Sequence, residues 1–400
     1  MNKETSSAPP RPWIPYALAG LCASLIGIGL GRFAYTPLLP ALIEASWFTE
    51  TDAVYLGAAN LAGYLAGALG GKSMAARLPA HQVIRIMMLL CAVSFIACAE
   101  PVSFLWYFVW RFAAGYTGGA LMVLGASTVL PHVPAGKRGV AGGVIFTGVG
   151  LGIALSGTLV PALIGVGLVE TWTSIGVLSL ALSLASWRFW PPAEPRSDTA
   201  QPKPASAFRL PFTSLYAVYG LVAAGLVAHM VFLVDYVARG LGQGITVGGF
   251  YWFVFGAGAA IGPIAAGKLA DRMGFRRTIR LGLMLQTAGV ALAFISAAPL
   301  ALGISSFVVG AVVPGIVPLV AGRAHELSGS DTVLQRTAWS YATVAFSVGQ
   351  AGAAYAFSYA FELTGRYDLL FQAGAAAVAL AFVIDFLTPE RQLTSKENEA

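Results

Sequence analysis

Two arginines stand inside long apolar runs, Arg32 in G-I-G-L-G-R-F-A-Y-T-P-L-L-P and Arg111 in F-V-W-R-F-A-A-G-Y. A guanidinium stays charged at any physiological pH and can grip a carboxylate with two parallel hydrogen bonds. No Asp or Glu lies at comparable depth in the first half of the chain to neutralise them. The chemistry they suggest is capture of an anionic group from outside the protein. A charge buried in hydrocarbon costs at least ~2.5–3.5 kcal/mol on insertion scales, so each arginine should face a wet cavity or a partner. The structural alternative is that they bond backbone carbonyls freed by Pro37 and Pro40, or snorkel to the surface.

Proton chemistry needs a titratable group, and few are placed for it. His229 lies about as deep in its apolar run as Arg32, and an unperturbed imidazole titrates near ~6.5. Asp235 lies toward the end of the same run. Six residues apart on a helix, the two do not face one another. They are the expected proton-coupling residues, against the alternative that a lone buried His is a packed hydrogen-bond donor.

Around Arg32, helical spacing places Tyr35 and Thr36 on its face. Asn60 and Tyr64 share a face with Gly63 and Gly67 in the next run. Such small-residue faces usually serve helix packing. In the second half Trp252, Trp339, Tyr341 and Gln350 are polar or aromatic enough to line a cavity, and depth favours Trp252 and Gln350. The expected cavity is Arg32, Tyr35, Asn60, Tyr64, Arg111, Trp252 and Gln350.

The elements that must hold these residues are membrane helices. Charged residues are 10% of the chain and hydrophobic ones 57%, against roughly 25% and 45–50% in soluble proteins. Mean hydropathy is +0.74 over 400 residues. Twelve apolar spans, each near or above the ~20 residues needed to cross a bilayer, are expected. The first six lie at 14–42, 52–76, 82–99, 102–130, 138–166 and 170–190. The second six lie at 211–238, 245–270, 275–297, 299–324, 333–361 and 367–387. The fold class is therefore an all-α integral membrane protein, twelve transmembrane helices in two pseudo-symmetric six-helix bundles, 14–190 and 211–388. A Pro-rich charged linker, 191–210, joins them, and polar tails 1–13 and 389–400 flank them. Cys22, Cys91 and Cys98 fall inside apolar runs and are expected to be packing residues.

Charge sets the orientation. With the N-terminus cytoplasmic, only Arg239 and Arg366 of the 24 Lys and Arg face out, apart from the two inside the membrane. The outer loops instead carry Glu44, Glu50, Asp52, Glu100, Glu170, Glu362 and Asp368. This satisfies the positive-inside bias with both termini cytoplasmic. The net charge of +6 then reports topology and anionic lipid, and no nucleic-acid partner is expected.

The halves read as repeats, because Gly71-Lys72 follows the second span as Gly267-Lys268 follows the eighth. The loop at 267–277 has the form G-x-x-x-D-R-x-G-x-R-R, with Gly267, Asp271, Arg272, Gly274, Arg276 and Arg277 in place. Asp271 can pair locally while the surplus positive charge stays cytoplasmic. In the first half Ala75 and Ala76 replace the Asp-Arg pair. The pattern resembles the signature loop of the major facilitator superfamily, and Arg111-x-x-x-Gly115 resembles that superfamily's fourth-helix motif. The stretches G-R-F-A-Y-T-P-L-L-P and Y-L-G-A-A-N-L-A-G-Y-L-A-G resemble its YbfB/YjiJ branch.

The resemblance implies a secondary transporter whose two bundles rock about a central site, with the 267–277 loop as a cytoplasmic gate. The expected cargo is a small organic anion, proton-coupled, carried across the inner membrane by a monomer embedded in lipid. The alternative is a proton-driven exporter of amphipathic or cationic drugs, using aromatics and Asp235. The Gly-rich fifth span lacks the G-P-x-x-G-G ending of the superfamily's drug/proton antiporters, which weighs against export. An enzyme is not expected: there is no H-E-x-x-H, nucleophile elbow, metal-ligand cluster or paired mid-membrane carboxylate. No cofactor is expected. A channel is disfavoured by the repeated halves and the lack of a charged ring.

Overall fold

The computed structural model describes residues 13–134, 137–191, 205–329 and 331–389, and among them regular structure is helical throughout. In hydrocarbon every backbone N–H and C=O must be satisfied within its own segment, so long apolar runs become helices. The first half holds α1 Trp13–Glu44, α2 Glu50–Ala75, α3 Ala80–Ala97, α4 Phe104–His132, α5 Arg138–Ile164 and α6 Leu168–Phe189. The second holds α7 Leu210–Gly240, α8 Gly244–Met273, α9 Phe275–Ile295, α10 Pro299–Ser328, α11 Thr332–Thr364 and α12 Tyr367–Leu387. All but α11 are long and apolar enough to cross a membrane, giving 11 candidate spans among the described residues. α11 is 33 residues long, and its first half carries Gln335, Thr337, Ser340, Thr343 and Ser347. Most of the expected tails and linker, at 1–12, 192–204 and 390–400, lies outside the described residues.

Successive helices alternate direction. The turns at 44–50, 164–168, 240–244 and 364–367 form one face, here the Ser46 face; Gly274 marks the opposite one. Large apolar side chains such as Leu105, Ile264 and Leu300 are exposed on the perimeter, a surface suited to lipid rather than water.

Two helix pairs repeat the same packing. Between α2 and α4, a Cβ added at Gly63 would meet the Phe112 carbonyl oxygen, one at Gly67 that of Tyr116, and one at Gly115 that of Asn60. Between α8 and α10, Gly258, Gly262 and Gly310 stand in the same way against Phe307, Ala311 and Phe255. Only glycine permits such backbone contact. In this register Arg111 corresponds to Ser306, so the repeated scaffold carries its charge in the first half alone.

Two helices are not uniform. α1 widens to a π turn at Leu25–Leu30, and α7 does so at Ala228–Phe232 and again at Tyr236–Gly240. Such π turns are frequent at functional sites. These immediately precede Arg32 and contain His229 and Arg239.

Candidate functional site

Arg32, just past the π turn of α1, is 8% exposed; Arg111, in α4, is 1% exposed. Neither makes an ion pair with a described residue. Arg111 Nη1 donates to the Gly31 carbonyl at 3.4 Å, and its guanidinium lies over the Tyr35 ring, 4.2 Å from the centroid. Asn60 Nδ2 donates to both the Gly31 and Arg111 carbonyls at 3.1 Å, which ties α1, α2 and α4 at one level. Pro37 and Pro40 free the carbonyls of Phe33 and Thr36, four residues back. Arg111 uses neither, so the structural role expected from those prolines is filled by the Gly31 carbonyl instead.

Arg32 is held by rings and by sulfur. Its guanidinium lies 4.9 Å from the Tyr64 centroid and 5.4 Å from that of Phe33, while Nε donates to Met230 Sδ of α7 at 3.2 Å. Tyr219, also in α7, is within electrostatic reach. Arg32 Nη2 and Arg111 Nε remain buried without a hydrogen-bond partner. A small cavity beside them is lined by Arg32, Tyr35, Thr36, Asn60, Arg111 and Met230, among others. Its chemistry is two guanidiniums with spare donors and no acid among the lining residues.

The second half reaches this cavity through Met230 and Val231 of α7, and α11 stands behind Met230. Gln350 Nε2 donates to the same Met230 sulfur at 3.4 Å, and Gln350 Oε1 is left unpaired. Thr36 Oγ1 donates to the Met230 carbonyl at 2.5 Å. Trp252 is fully buried; it donates to Ser156 Oγ at 2.8 Å, stacks on Phe255 and tilts against Phe33. It packs beside the arginines and is not among the cavity's lining residues. Trp339 and Tyr341 pack against Tyr219 and against Phe208 and Tyr216.

His229 and Asp235 are not at the cavity. His229 Nε2 donates to Ser305 Oγ at 2.8 Å, Ser305 donates to the Gly289 carbonyl at 2.6 Å, and Phe371 meets the ring edge-on. The imidazole therefore faces α9, α10 and α12, away from Arg32. Asp235, 0% exposed, accepts from Tyr367 Oη at 2.5 Å and pairs with Arg239 at 3.3 Å. Arg239 in turn pairs with Glu50 of α2, and Tyr55 Oη donates to Glu362 at 2.9 Å. These contacts join the two halves at the Ser46 face.

At the opposite face Gly274, with φ +84°, turns the chain between α8 and α9. Gly267 has open space around it, and Arg272 and Arg277 are exposed. Asp271 is exposed and makes no hydrogen bond or ion pair with a described residue, so the expected local pairing is absent in this conformation. The bonded basic residues of α9 are Arg276 and Arg280, which meet Asp385 of α12 at 3.5 and 2.7 Å. Arg276 also donates to the Asp385 carbonyl at 2.7 Å. The contacts made by Met230, Glu50, Ser305 and Asp385 were not expected from sequence. Each acts through a partner distant in the chain, and no local spacing marks it.

A solved structure of a mutant of the nucleoside transporter NupG superposes on this fold with a TM-score of 0.75, at 13% identity, covering 94% of this chain and 100% of that one. A chloramphenicol resistance protein from Streptomyces lividans is 27% identical over 393 residues, covering 94% of this chain and 97% of that protein. The family model described as uncharacterised MFS-type transporter YbfB matches residues 24–386. The chain belongs to that family, and it is a multi-pass membrane transporter of the major facilitator type rather than an enzyme.

Proposed function

We propose that this chain is a secondary transporter for a small organic anion, with Arg32 and Arg111 attracting the cargo. The observation that carries the reading is two buried guanidiniums, with spare donors and no acid paired to either, beside a cavity that α7 closes from the other half. An uncompensated buried charge is costly, and a substrate bringing the opposite charge removes that cost. In this reading α11 also crosses the membrane, which completes twelve spans, and 14–190 and 211–388 are the two bundles. The basic Gly274 face is cytoplasmic, with both termini on that side of the inner membrane, and the protein works as a monomer.

Alternating access is supported by where the halves are tied. Hydrogen bonds between them among the described residues are Glu50–Arg239 and Tyr55–Glu362 at the Ser46 face, with Arg32–Met230, Thr36–Met230 and Ser156–Trp252 deeper. That pattern fits a state closed at the Ser46 face, in which the gate of Gly267, Asp271, Arg272, Gly274, Arg276 and Arg277 is released. Proton coupling is assigned to His229 and Asp235, the buried titratable groups of α7. They would act through the packing of α7 rather than by touching the cargo.

The test is counterflow in liposomes with a pH gradient. The parent should exchange a carboxylate, and Arg32→Ala and Arg111→Ala should each lower exchange at least tenfold. Full exchange in both variants would remove the anion reading. His229→Gln and Asp235→Asn should uncouple exchange from the gradient. The relative named for chloramphenicol resistance favours a second reading, drug export. Transport of chloramphenicol or of an amphipathic cation, indifferent to Arg32→Ala, would establish it instead.

A further inference from the structure

The Met230 thioether occupies a position that its chemistry does not merit. Sulfur of this kind is a weak acceptor without charge. Two strong donors nevertheless converge on it, Arg32 Nε at 3.2 Å from α1 and Gln350 Nε2 at 3.4 Å from α11. Behind those donors stand two atoms with no hydrogen-bond partner among the described residues, Arg32 Nη2 and Gln350 Oε1, in residues that are 8% and 1% exposed. The orientation of the amide follows from the sulfur: turning it over would set two acceptors against each other and strand the NH2 group. The sulfur thus sits between a guanidinium with a spare donor and a carboxamide with a spare acceptor.

We propose that Met230 is a place-holder in the binding site, displaced by a carboxylate that bears a hydroxyl close to its carboxyl group. The carboxylate takes the sulfur's place, one oxygen accepting from Gln350 Nε2 and the other from Arg32, with Arg111 behind it, and the hydroxyl donates to Gln350 Oε1. This rests on the anion reading above and narrows it to hydroxycarboxylates. A plain carboxylate satisfies Arg32 but leaves Gln350 Oε1 buried and unpaired, and sites built to bond a hydroxyl reject analogues that lack it. An ammonium in place of the hydroxyl would sit beside two guanidiniums and be repelled.

Displacement is mechanically simple. The Met230 backbone is anchored by the Thr36 bond to its carbonyl at 2.5 Å, while the unbranched side chain turns about three bonds. The same motion breaks the sulfur's bridge between α1 and α11 and replaces it with the cargo. Binding of the cargo is thereby coupled to the contact between the two halves.

The test uses the purified full chain and two ligand pairs that differ by one hydroxyl, phenylacetate with mandelate and propionate with lactate, titrated by thermal shift. In the parent the hydroxy acid of at least one pair should bind tighter by roughly tenfold or more. Gln350→Leu should bring that ratio close to one by weakening the hydroxy acid more than the plain acid, the unliganded melting temperature showing that the variant is folded. Met230→Leu, which removes the weak acceptor at similar volume, should bind the hydroxy acid at least as well as the parent. Equal binding within both pairs, a ratio that survives Gln350→Leu, or loss of binding in Met230→Leu overturns the proposal. If both acids of a pair bind equally and Arg32→Ala abolishes both, the anion site stands and only this narrowing fails. If no member of either pair binds, both readings fail.

Discussion

The Arg111 guanidinium lies 4.2 Å from the centre of the Tyr35 ring, and the Tyr35 hydroxyl donates to the Ala53 carbonyl at 2.7 Å. One tyrosine therefore supports a buried charge with its face and ties α1 to α2 with its tip. A desolvated cation–π contact contributes about 2 kcal/mol, and a buried neutral hydrogen bond about 1 kcal/mol. Tyr35→Phe should lose only the smaller part, whereas Tyr35→Leu should lose both and weaken anion binding as Arg111 shifts. Melting curves of the two variants check this; equal destabilisation would mean that the ring face contributes nothing.

Glycines differ sharply in what they support. Gly115→Val would drive a side chain into the Asn60 carbonyl and force α2 and α4 apart at the level of Arg111. Overpacking of this kind costs at least about 1–3 kcal/mol, and the expected outcome is little folded protein in the membrane. Gly267→Ala meets nothing within 4 Å and should leave the melting temperature within about a degree or two of the parent, since free surface substitutions change stability little. Comparable loss in both would contradict the close helix approach.

At the Ser46 face, Glu50 with Arg239 is the ion pair among the described residues that spans the two halves. If it holds that face closed, Glu50→Gln should shift the population toward opening there. A Gly57→Cys reporter has room for its side chain, with Tyr35 Cε1 3.5 Å from the Cβ position. In a background with Cys22, Cys91 and Cys98 changed to Ala, it should react with a maleimide added from that side several-fold faster when Glu50→Gln is present. An unchanged rate would show that the pair does not control access.

Asp385 and Asp271 should separate stability from gating. Asp385 meets Arg276 and Arg280 in a half-buried cluster, and breaking a buried pair from one side costs up to about 3–5 kcal/mol. Asp385→Asn should therefore lower the melting temperature by several degrees. Asp271→Asn should leave stability intact, since Asp271 bonds to no described residue in this conformation, yet slow transport if Asp271 pairs in the other state. Normal exchange in Asp271→Asn would remove its gate role.

Much of the layout was legible in the sequence because hydrocarbon leaves the chain few choices. Apolar runs of sufficient length had to be helices, but the glycine contacts that repeat between the α2–α4 and α8–α10 pairs lie one residue out of step with the repeat of Gly71-Lys72 at Gly267-Lys268. Arg32 and Arg111 were legible because a charge in such a run needs an explanation. What could not be read was direction. Within the π turn at Ala228–Phe232, His229 meets Ser305 and Met230 meets Arg32, and simple helical spacing does not say which helix each will face. Met230 itself carries no signal in sequence, since a methionine in an apolar run reads as packing. Asp385 was hidden for a similar reason, its partners lying on another helix far back in the chain.

The most direct test of the account is ligand-dependent melting of the purified protein against carboxylates, chloramphenicol, nucleosides and amphipathic cations, in the parent and in Arg32→Ala. A ligand that binds only the folded state raises the melting temperature by mass action. The account predicts a rise with a carboxylate in the parent and none in Arg32→Ala. A rise confined to cations or to chloramphenicol, and equally large without Arg32, would contradict it.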